Sequence, residues 1–408
     1  MKNIGKRMKC TMLVVVAGLM SVVAGQATAK PLKVYILAGQ SNMQGQGNIR
    51  TFPYIGMDPE TAPMLKKMVD EKGAPRVIEN VWISSLGTGS EEKFGKLTVG
   101  FGSERAGVKI GPELTFGIYM QEHLGEPVLL IKTSWGGTSL CHDFRPPSAG
   151  LHPAQAQRLE ELRKNNEDTR KAEAEYAERN GNCYRQMMAH VKSVLADIKR
   201  VDPEYDPAQG YEVAGFVWLQ GCSDFGATDT YPNPGKPGGY DEYSRLLACL
   251  IRDLRKDLNA PEMRAVIGVL GINGELETER VRDIEPEHIP WLREFRKAMA
   301  APAAMPEFKG TVAAVQLEKF WEPKLEELQY RWQKVKGKSR ELKGSKLGKD
   351  EQKAIIDAFL KTVYTPEESK LMEIGVSNAT YHYLGSAKIM ARIGKAFADA
   401  MADLQTAR

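Results

Sequence analysis

Cysteine is scarce in this chain of 408 residues, which contains only five. They are Cys10, Cys141, Cys183, Cys222 and Cys249. No two of them are separated by two residues, so the C-x-x-C spacing of structural zinc sites and thioredoxin-like redox sites is absent. The cysteines that follow residue 29 are too sparse for a disulfide framework. We therefore expect free or singly paired thiols and no zinc site.

Long apolar runs are also lacking, apart from one near the N-terminus. It extends from Thr11 to Gly25, follows a cluster of Lys and Arg within residues 2–9, and precedes Ala27-Thr28-Ala29. No acidic residue occurs in residues 1–29. A basic segment, an apolar core too short to span a bilayer and a small-x-small site are typical of an export signal. We predict a signal peptide over residues 1–29 and an exported protein, periplasmic or extracellular, with no membrane segment after cleavage.

An excess of one charge sign is absent once that segment is set aside. The whole chain has 56 Lys and Arg against 52 Asp and Glu, a formal net charge of +4. Removal of residues 1–29 leaves 52 basic and 52 acidic residues. A neutral chain lacks the basic surplus typical of nucleic-acid binding, and we expect no nucleic-acid partner. We interpret the basic stretch at residues 331–349 as a solvated helix face.

Short apolar runs rich in β-branched residues alternate with helical segments along the chain. Strands are predicted at Lys33–Ala38, Pro127–Lys132, Ala214–Gln220, Arg264–Leu270 and Thr311–Gln316, and helices at Glu113–His123, Tyr240–Leu258 and Leu384–Leu404. Unbroken apolar strands separated by helices are typical of a parallel sheet covered on both faces. The predicted fold class is therefore α/β, with a parallel sheet of about five strands.

Two charged helical stretches interrupt this alternation, at about residues 151–204 and 321–362. The first contains i,i+4 pairs of opposite charge such as Glu160 and Lys164. We interpret both stretches as helical insertions on a single domain that covers residues 30–408. After the second stretch, Thr365-Pro366-Glu367-Glu368 has the pattern of a helix start with a capping box.

The most informative segment is residues 34–45, in which an apolar strand runs into a glycine-flanked turn that contains Ser41. Open α/β sheets bind ligands at the carboxyl ends of their strands, so the turn places Ser41 where a substrate is expected. A serine in this position also has its own N–H free to stabilise an oxyanion. The alternative from these residues alone is that Ser41 only caps the following helix, which serine does well.

The block Gly39-Gln40-Ser41-Asn42-Met43 resembles the nucleophile block of SGNH hydrolases, and most closely that of the carbohydrate-esterase branch with acetylxylan esterases and sialate O-acetylesterases. Further blocks follow in the order that this branch shows. They are Gly111-Pro112-Glu113-Leu114, Trp135-Gly136-Gly137-Thr138, Trp218-Leu219-Gln220-Gly221-Cys222-Ser223-Asp224 and Tyr381-His382-Tyr383. The resemblance covers roughly residues 33–140, 211–272 and 370–405 and implies a three-layer α/β/α sandwich. Ordinary α/β-hydrolases match poorly, because their motif needs glycine at the position of Met43.

Acyl transfer to a serine needs a base and a set of oxyanion donors, and the blocks supply candidates for each. Ser41 is the predicted nucleophile and His382 the predicted base. The predicted oxyanion donors are the N–H groups of Ser41 and of Gly136 or Gly137, with the side-chain amide of Gln220. Gln220 ends an apolar strand, where a polar group must find a partner; its alternative is a bond to a neighbouring loop.

The chain departs from the family pattern where the family places an Asp three residues before the histidine. That position is Ala379 here, and although Asn378 and Glu373 are close in sequence, neither has the family spacing. The His382 ring is then oriented by a carboxylate from elsewhere, by a backbone carbonyl, or not at all in a Ser–His dyad. Asp224 and Glu113 are the candidate carboxylates, either as the acid that orients His382 or as substrate contacts, although Glu113 at a helix start also fits a structural role.

A second departure is Cys222, which stands where the family usually has an acidic or bulky residue, and we expect it to alter substrate fit more than mechanism. The resemblance implies an esterase that removes O-acetyl or similar small acyl groups from a sugar or polysaccharide through an acyl-Ser41 intermediate, and the predicted signal peptide implies that it is exported. No metal or organic cofactor is expected. The alternative from another class is a catalytically weak or inactive glycan-binding protein on the same fold, motivated by Ala379.

Overall fold

The computed structural model describes residues 30–277 and 284–406, so the predicted signal peptide lies outside the described residues. The strands in these residues are β1 (Leu32–Gly39), β2 (Gly47–Asn48), β3 (Ile78–Leu86), β4 (Lys93–Leu97), β5 (Lys109–Ile110), β6 (Val128–Ser134), β7 (Tyr211–Leu219), β8 (Arg264–Val269) and β9 (Val312–Gln316). The long strands form one sheet, while β2 and β5 make a short antiparallel pair of their own.

The main sheet has the strand order β4-β3-β6-β1-β7-β8-β9 and is parallel except for β4, which runs antiparallel to β3 at one edge. Strand β1 is central and pairs with β6 on one side and β7 on the other. At its end Gly39 lies opposite Ser134 of β6 and Leu219 of β7. The segments that follow these three strands therefore meet at one point of the sheet edge.

The α/β fold class and all five expected strands are confirmed, and the sheet has two more strands in the described residues, β3 and β4. Strand β3 contains Ser84 and Ser85 just before its last residue, and they break the apolar run that buried strands usually show. Strand β4, with Lys93, Lys96 and a central glycine, has the charged composition of an edge strand, where one side faces solvent. Neither carries the pattern that identified the others.

The helices in the described residues are α1 (Ser41–Gln44), α2 (Phe52–Gly56), α3 (Ala62–Met68), α4 (Glu113–Leu124), α5 (Pro153–Lys164), α6 (Arg170–Arg179), α7 (Asn182–Ala196), α8 (Cys222–Phe225), α9 (Asp241–Asp257), α10 (Ile289–Ala300), α11 (Pro323–Lys343), α12 (Lys349–Val363), α13 (Pro366–Gly375) and α14 (Ala387–Thr406). Both stretches expected to be helical insertions are helical, and Glu160 pairs with Lys164. The capping box of Thr365 and Glu368 at the start of α13 is confirmed.

Helices cover both faces of the sheet, as the surroundings of Gly215 and Trp218 in β7 show. A side chain at Gly215 would meet Met401 of α14, whereas Trp218 donates to Tyr243 of α9. Since residues 215 and 218 point to opposite faces of a strand, α14 and α9 lie on opposite sides of the sheet. Helix α14 also packs along α4. Within the described residues, no helix combines the length and apolar character needed to cross a membrane.

Candidate active site

Ser41 is the first residue of α1 and follows central strand β1 by way of Gly39 and Gln40. The turn requires glycine at position 39, because a Cβ there would lie 2.0 Å from the carbonyl oxygen of Leu219. The helix cap residue is Gln40, and its side chain makes no capping hydrogen bond. Ser41 therefore does not have the capping role that was the alternative from sequence.

Ser41 opens on a cavity of about 1020 Å³ at the carboxyl ends of β1 and β6, which we call the Ser41 cavity. Four of the predicted site residues line it, namely Ser41, Gly136, Gly137 and His382. The structure thus brings the predicted nucleophile, base and glycine pair to one place, although they are far apart in sequence. Gln220, Glu113 and Asp224 do not line this cavity.

The side chain that holds His382 is that of Asn378, which lies four residues before the histidine, whereas the family spacing is three. The Nδ1 atom of His382 lies 3.2 Å from the Oδ1 atom of Asn378, and the N–H of Ala379 also donates to that oxygen at 2.8 Å. The residue at the family's usual acid position, Ala379, therefore contributes only its backbone. Among the described residues no carboxylate hydrogen-bonds to His382.

A chain of polar groups extends from His382 to a buried lysine. The Nδ2 atom of Asn378 donates to Oε1 of Gln46 at 3.3 Å, and Nζ of Lys109 donates to the same oxygen at 3.0 Å. Burial lowers the pKa of Lys109, and Arg105 acts in the same direction. Burial also lowers the pKa of His382 to about 4, with a further contribution from the positive charge of Lys109. The imidazole is therefore neutral at neutral pH.

The turn that carries His382 has an unusual backbone. Tyr383 and Leu384 have φ values of 50° and 61°, in the left-handed region that residues with a side chain rarely adopt. The buried Tyr383 hydroxyl accepts a hydrogen bond from the N–H of Gly271 at 2.9 Å, which fixes the turn to the loop after β8. Helix α14 was expected to start at Leu384, and it starts at Ala387 because this turn precedes it.

The turn of His382 is also tied directly to the nucleophile helix. The buried side chain of Asn42 donates from Nδ2 to the carbonyl oxygen of Tyr381 at 3.1 Å. Asn42 lies 3.7 Å from the thiol of Cys222, measured from Nδ2 to Sγ. Burial raises the pKa of Cys222 to about 12, so this cavity-lining thiol is neutral. Ser41 Oγ and His382 share the cavity, but no hydrogen bond joins them in the described part of the chain.

Glu113 is not placed to orient His382, which corrects one of the candidate acids. Its carboxylate is fully buried, accepts from the N–H of Gly111 at 2.8 Å and pairs with Nζ of Lys132 at 2.7 Å. Lys132 also donates to the carbonyl oxygens of Gln44 and Phe101 at 2.8 Å each. The buried pair of Lys132 and Glu113 therefore stabilises the backbone at the C-terminal end of α1, where Gln44 lies.

Asp224 is also not placed beside His382, because its carboxylate is occupied elsewhere. It accepts hydrogen bonds from the N–H groups of Leu140 and Cys141, from the hydroxyl of Tyr231 and from Nε2 of Gln220, at 2.7–3.0 Å. The side chain is completely buried. Asp224 thus anchors the loop that follows the glycine pair, which is a structural role.

Gln220 does not reach the cavity as an oxyanion donor. Its Nε2 atom donates to the carbonyl oxygen of Thr138 at 3.1 Å and to Asp224 at 2.7 Å, which uses both of its N–H bonds. Its Oε1 atom accepts from the hydroxyl of Tyr243 at 3.0 Å. The alternative from sequence, a bond to a neighbouring loop, describes what the structure shows.

Of the oxyanion donors predicted from the sequence, those that remain are backbone groups. Gly136 and Gly137 line the Ser41 cavity, and their N–H groups have no acceptor in the described residues. The N–H of Ser41 belongs to the first turn of α1, where no acceptor within the helix exists.

Sequence reasoning did not single out Gln44, which lines the cavity and donates from Nε2 to the carbonyl oxygen of Gly87.

The four cysteines in the described residues, Cys141, Cys183, Cys222 and Cys249, are free. In the same residues no group of three or more His, Cys, Asp or Glu side chains is arranged to hold a metal ion. The arrangement that remains is a serine and a neutral histidine facing free backbone donors across one cavity.

The chain is similar to one protein family and to solved structures. No curated protein matches the chain. Among solved structures, an Arabidopsis thaliana protein is 15% identical over 70% of this chain and 86% of its own, with a TM-score of 0.38. A carbohydrate acetylesterase from Xanthomonas citri is 12% identical, with a TM-score of 0.39, over 71% of this chain and about half (51%) of its own.

The model of one protein family, described as SASA, carbohydrate esterase, sialic acid-specific acetylesterase, matches residues 31–301. The match includes the blocks around Ser41, Gly136 and Gln220, and ends before His382. Because it covers more than half of the chain, this protein belongs to the SASA family of carbohydrate esterases.

Proposed function

We propose that the protein is an esterase that removes O-acetyl or similar small acyl groups from carbohydrates through an acyl intermediate on Ser41. The observation that carries the proposal is that Ser41, His382 and the free N–H groups of Gly136 and Gly137 line one cavity, with His382 Nδ1 held by Asn378. Membership of a carbohydrate esterase family supports the substrate class.

In the first half of the reaction, Nε2 of His382 takes the proton of the Ser41 hydroxyl as Oγ attacks the acyl carbonyl carbon. The negative charge that forms on the carbonyl oxygen is stabilised by the N–H groups of Ser41, Gly136 and Gly137. When the intermediate collapses, the C–O bond to the sugar breaks and the imidazolium returns its proton to the sugar oxygen. The products at this stage are the free sugar hydroxyl and acyl-Ser41.

In the second half, His382 takes a proton from water, and the resulting hydroxide oxygen attacks the acyl-serine carbonyl. Collapse of this intermediate releases the carboxylic acid and restores the Ser41 hydroxyl. The required contact between Ser41 Oγ and His382 Nε2 forms in the substrate complex, because catalytic hydrogen bonds in unliganded sites often tighten only when substrate binds.

Asn378 replaces the usual carboxylate in one of its two roles. Its Oδ1 atom accepts the Nδ1–H bond and so fixes the tautomer in which Nε2 is the base. It carries no charge, so it stabilises the imidazolium less than a carboxylate does. A slower esterase than one with a carboxylate is the expected consequence. This is also the observation that favours the second candidate, a catalytically weak glycan-binding protein. We propose export for either candidate, on the basis of the predicted signal peptide.

The experiment that separates the two candidates is acetate release from O-acetylated sugars, including O-acetylated sialic acid, by the wild type and by Ser41→Ala. Sialic acid belongs in the panel because its carboxylate suits the positive charges of Arg105 and Lys109, which line the Ser41 cavity together with one acidic residue, Glu104. The esterase proposal expects release by the wild type and none above background by Ser41→Ala. Equal rates for the two proteins would leave glycan binding as the better proposal.

A further inference from the structure

A second cavity of about 610 Å³ adjoins the Ser41 cavity, and we call it the Trp332 cavity. Helices α11, α12 and α13 form most of it, together with the segment that leads to His382. These helices lie outside residues 31–301, which the family model matches. The Trp332 cavity is therefore a feature of this chain that family membership does not assign.

The lining of the Trp332 cavity combines aromatic rings with an unpaired polar side chain. Trp332 and Tyr364 supply the rings. Gln329 is only 8% exposed, lines the cavity, and has no hydrogen-bond partner for its amide in the described residues. The amide is therefore available to a molecule in the cavity, and a ligand with hydroxyl groups would match both its donor and its acceptor.

The charged side chains that line the cavity have mixed signs, with Arg50 and Lys336 positive and Glu373 negative. Arg50 donates through its guanidinium to the carbonyl oxygens of Glu373 and Val376, at the end of α13. Lys336 and the Glu373 carboxylate have opposite signs and lie on different helices. A neutral ligand with both apolar and hydroxyl-bearing faces fits this lining best, since pockets use aromatic walls for contact and a few polar groups for orientation.

The two cavities share a wall residue that belongs to the catalytic arrangement. Asn378 lines both the Ser41 cavity and the Trp332 cavity. A ligand in the Trp332 cavity therefore lies beside the residue that holds His382.

We propose that the Trp332 cavity is a second sugar subsite, which binds a neutral glycosyl residue of an oligosaccharide whose acetylated residue lies at Ser41. The substrate class is then an O-acetylated oligosaccharide or polysaccharide and not a single sugar. This inference rests on the proposed function. The pyranose ring presents C–H groups to the indole of Trp332 and hydroxyl groups to the amide of Gln329, whereas an apolar acyl chain leaves that amide without a partner.

The binding experiment uses the full chain with Ser41→Ala, so that it does not depend on catalysis. Xylotetraose, cellotetraose and chitotetraose, none of them O-acetylated, are titrated by calorimetry. We expect at least one of them to bind more tightly than its monosaccharide, and we expect Trp332→Ala to weaken that binding about tenfold. Gln329→Leu, which keeps the volume and removes the amide, should also weaken it.

The matched control is Tyr330→Ala, which removes an aromatic side chain from the same helix at a position that is 46% exposed and lines neither cavity. Its affinity should equal that of the parent. Thermal denaturation of each variant shows whether α11 still folds. If Trp332→Ala unfolds, Gln329→Leu decides. No preference for any tetrasaccharide over its monosaccharide, or equal affinity of Gln329→Leu and the parent, contradicts the subsite.

The kinetic experiment distinguishes failure of the subsite from failure of the esterase proposal. With a chemically O-acetylated form of the tetrasaccharide that binds, Trp332→Ala should raise KM, while turnover of p-nitrophenyl acetate stays within about twofold. An inactive wild type that still binds the tetrasaccharide would contradict the esterase and not the subsite. A changed preference among p-nitrophenyl esters of longer acids would show an acyl pocket and overturn the sugar assignment.

Discussion

Nζ of Lys109 donates to Oε1 of Gln46, and this contact determines the tautomer of His382. The hydrogen-bond network continues from Gln46 through Asn378 to His382. A lysine only donates, so the Gln46 atom that it meets is the oxygen. Asn378 must then present Nδ2 to Gln46 and Oδ1 to His382. The N–H of Ala379 requires the same orientation of Asn378. His382 consequently carries its proton on Nδ1, which leaves Nε2 as the base.

The first prediction concerns Asn378. Replacement by Ala removes the acceptor of Nδ1–H, so the ring is free to adopt the wrong tautomer and kcat for p-nitrophenyl acetate should fall roughly 10²–10⁴-fold. This substrate is too small to use the Trp332 cavity, so the subsite does not affect the result. Asn378→Asp should retain activity, because a carboxylate also accepts from Nδ1. A loss in Asn378→Ala below threefold would show that Asn378 does not position the ring.

The second prediction is a pH profile that extends into acid. The base is active only when neutral, and burial lowers the pKa of His382 to about 4. The ratio kcat/KM should therefore remain constant from neutral pH downward and fall to half its maximum near pH 4, where the imidazole becomes protonated. A half-maximum close to the ordinary histidine pKa of about 6.5 would contradict this environment.

The third prediction follows from the same electrostatics. Lys109→Met removes a positive charge that lowers the pKa of His382, so the acid limb of kcat/KM should move to higher pH. Lys72→Met, at an exposed position outside the Ser41 cavity, is the matched control and should leave the limb in place. Identical limbs for Lys109→Met and the wild type would show that Lys109 does not act on His382.

The fourth prediction separates a structural role of Gln220 from a catalytic one. Gln220→Ala removes a donor to Asp224 and to Thr138, so it should lower the free energy of unfolding by about 1–3 kcal/mol. Loss of an oxyanion donor instead lowers kcat about 10²–10³-fold. Urea unfolding and kcat, measured on the same preparations, test this. A fall in kcat of that size without a change in stability would restore Gln220 to the oxyanion hole.

The fifth prediction concerns the buried pair of Lys132 and Glu113, whose side chains are both fully buried. Lys132→Met leaves the Glu113 carboxylate without its partner and should destabilise the protein by about 3–5 kcal/mol. The double variant Lys132→Met/Glu113→Gln removes both charges and should recover part of that loss. A double variant less stable than the single one would contradict the account of this pair.

The central strands and the position of Ser41 follow from the sequence because their signals are local. Apolar runs identify β1, β6 and β7, and in a parallel sheet their carboxyl ends share one edge, so Ser41 and the glycine pair must meet there. Strands β3 and β4 were not predicted, because each has polar residues where a buried strand has apolar ones.

Partners of buried polar side chains do not follow from the sequence. Gln220 was expected at the site because a polar residue at a strand end needs a partner, and Asp224 because its block was expected at the same sheet edge. The two side chains instead bond to each other. Asn378 reaches His382 within a tight turn, in which the N–H of Asn378 donates to the carbonyl oxygen of Leu384, and Tyr383 and Leu384 adopt left-handed conformations. Residues with side chains rarely adopt left-handed conformations, and no local sequence pattern indicates them here.

The most direct test of the central claim is the identity of the acylated residue. The wild type and Ser41→Ala are treated with a serine-reactive fluorophosphonate, digested and examined by mass spectrometry, with p-nitrophenyl acetate turnover measured in parallel. We predict one adduct per chain, on Ser41, with loss of turnover in proportion, and neither adduct nor turnover in Ser41→Ala. Turnover by Ser41→Ala at the wild-type rate, or an adduct on another residue that accompanies the loss of activity, would contradict the proposed mechanism.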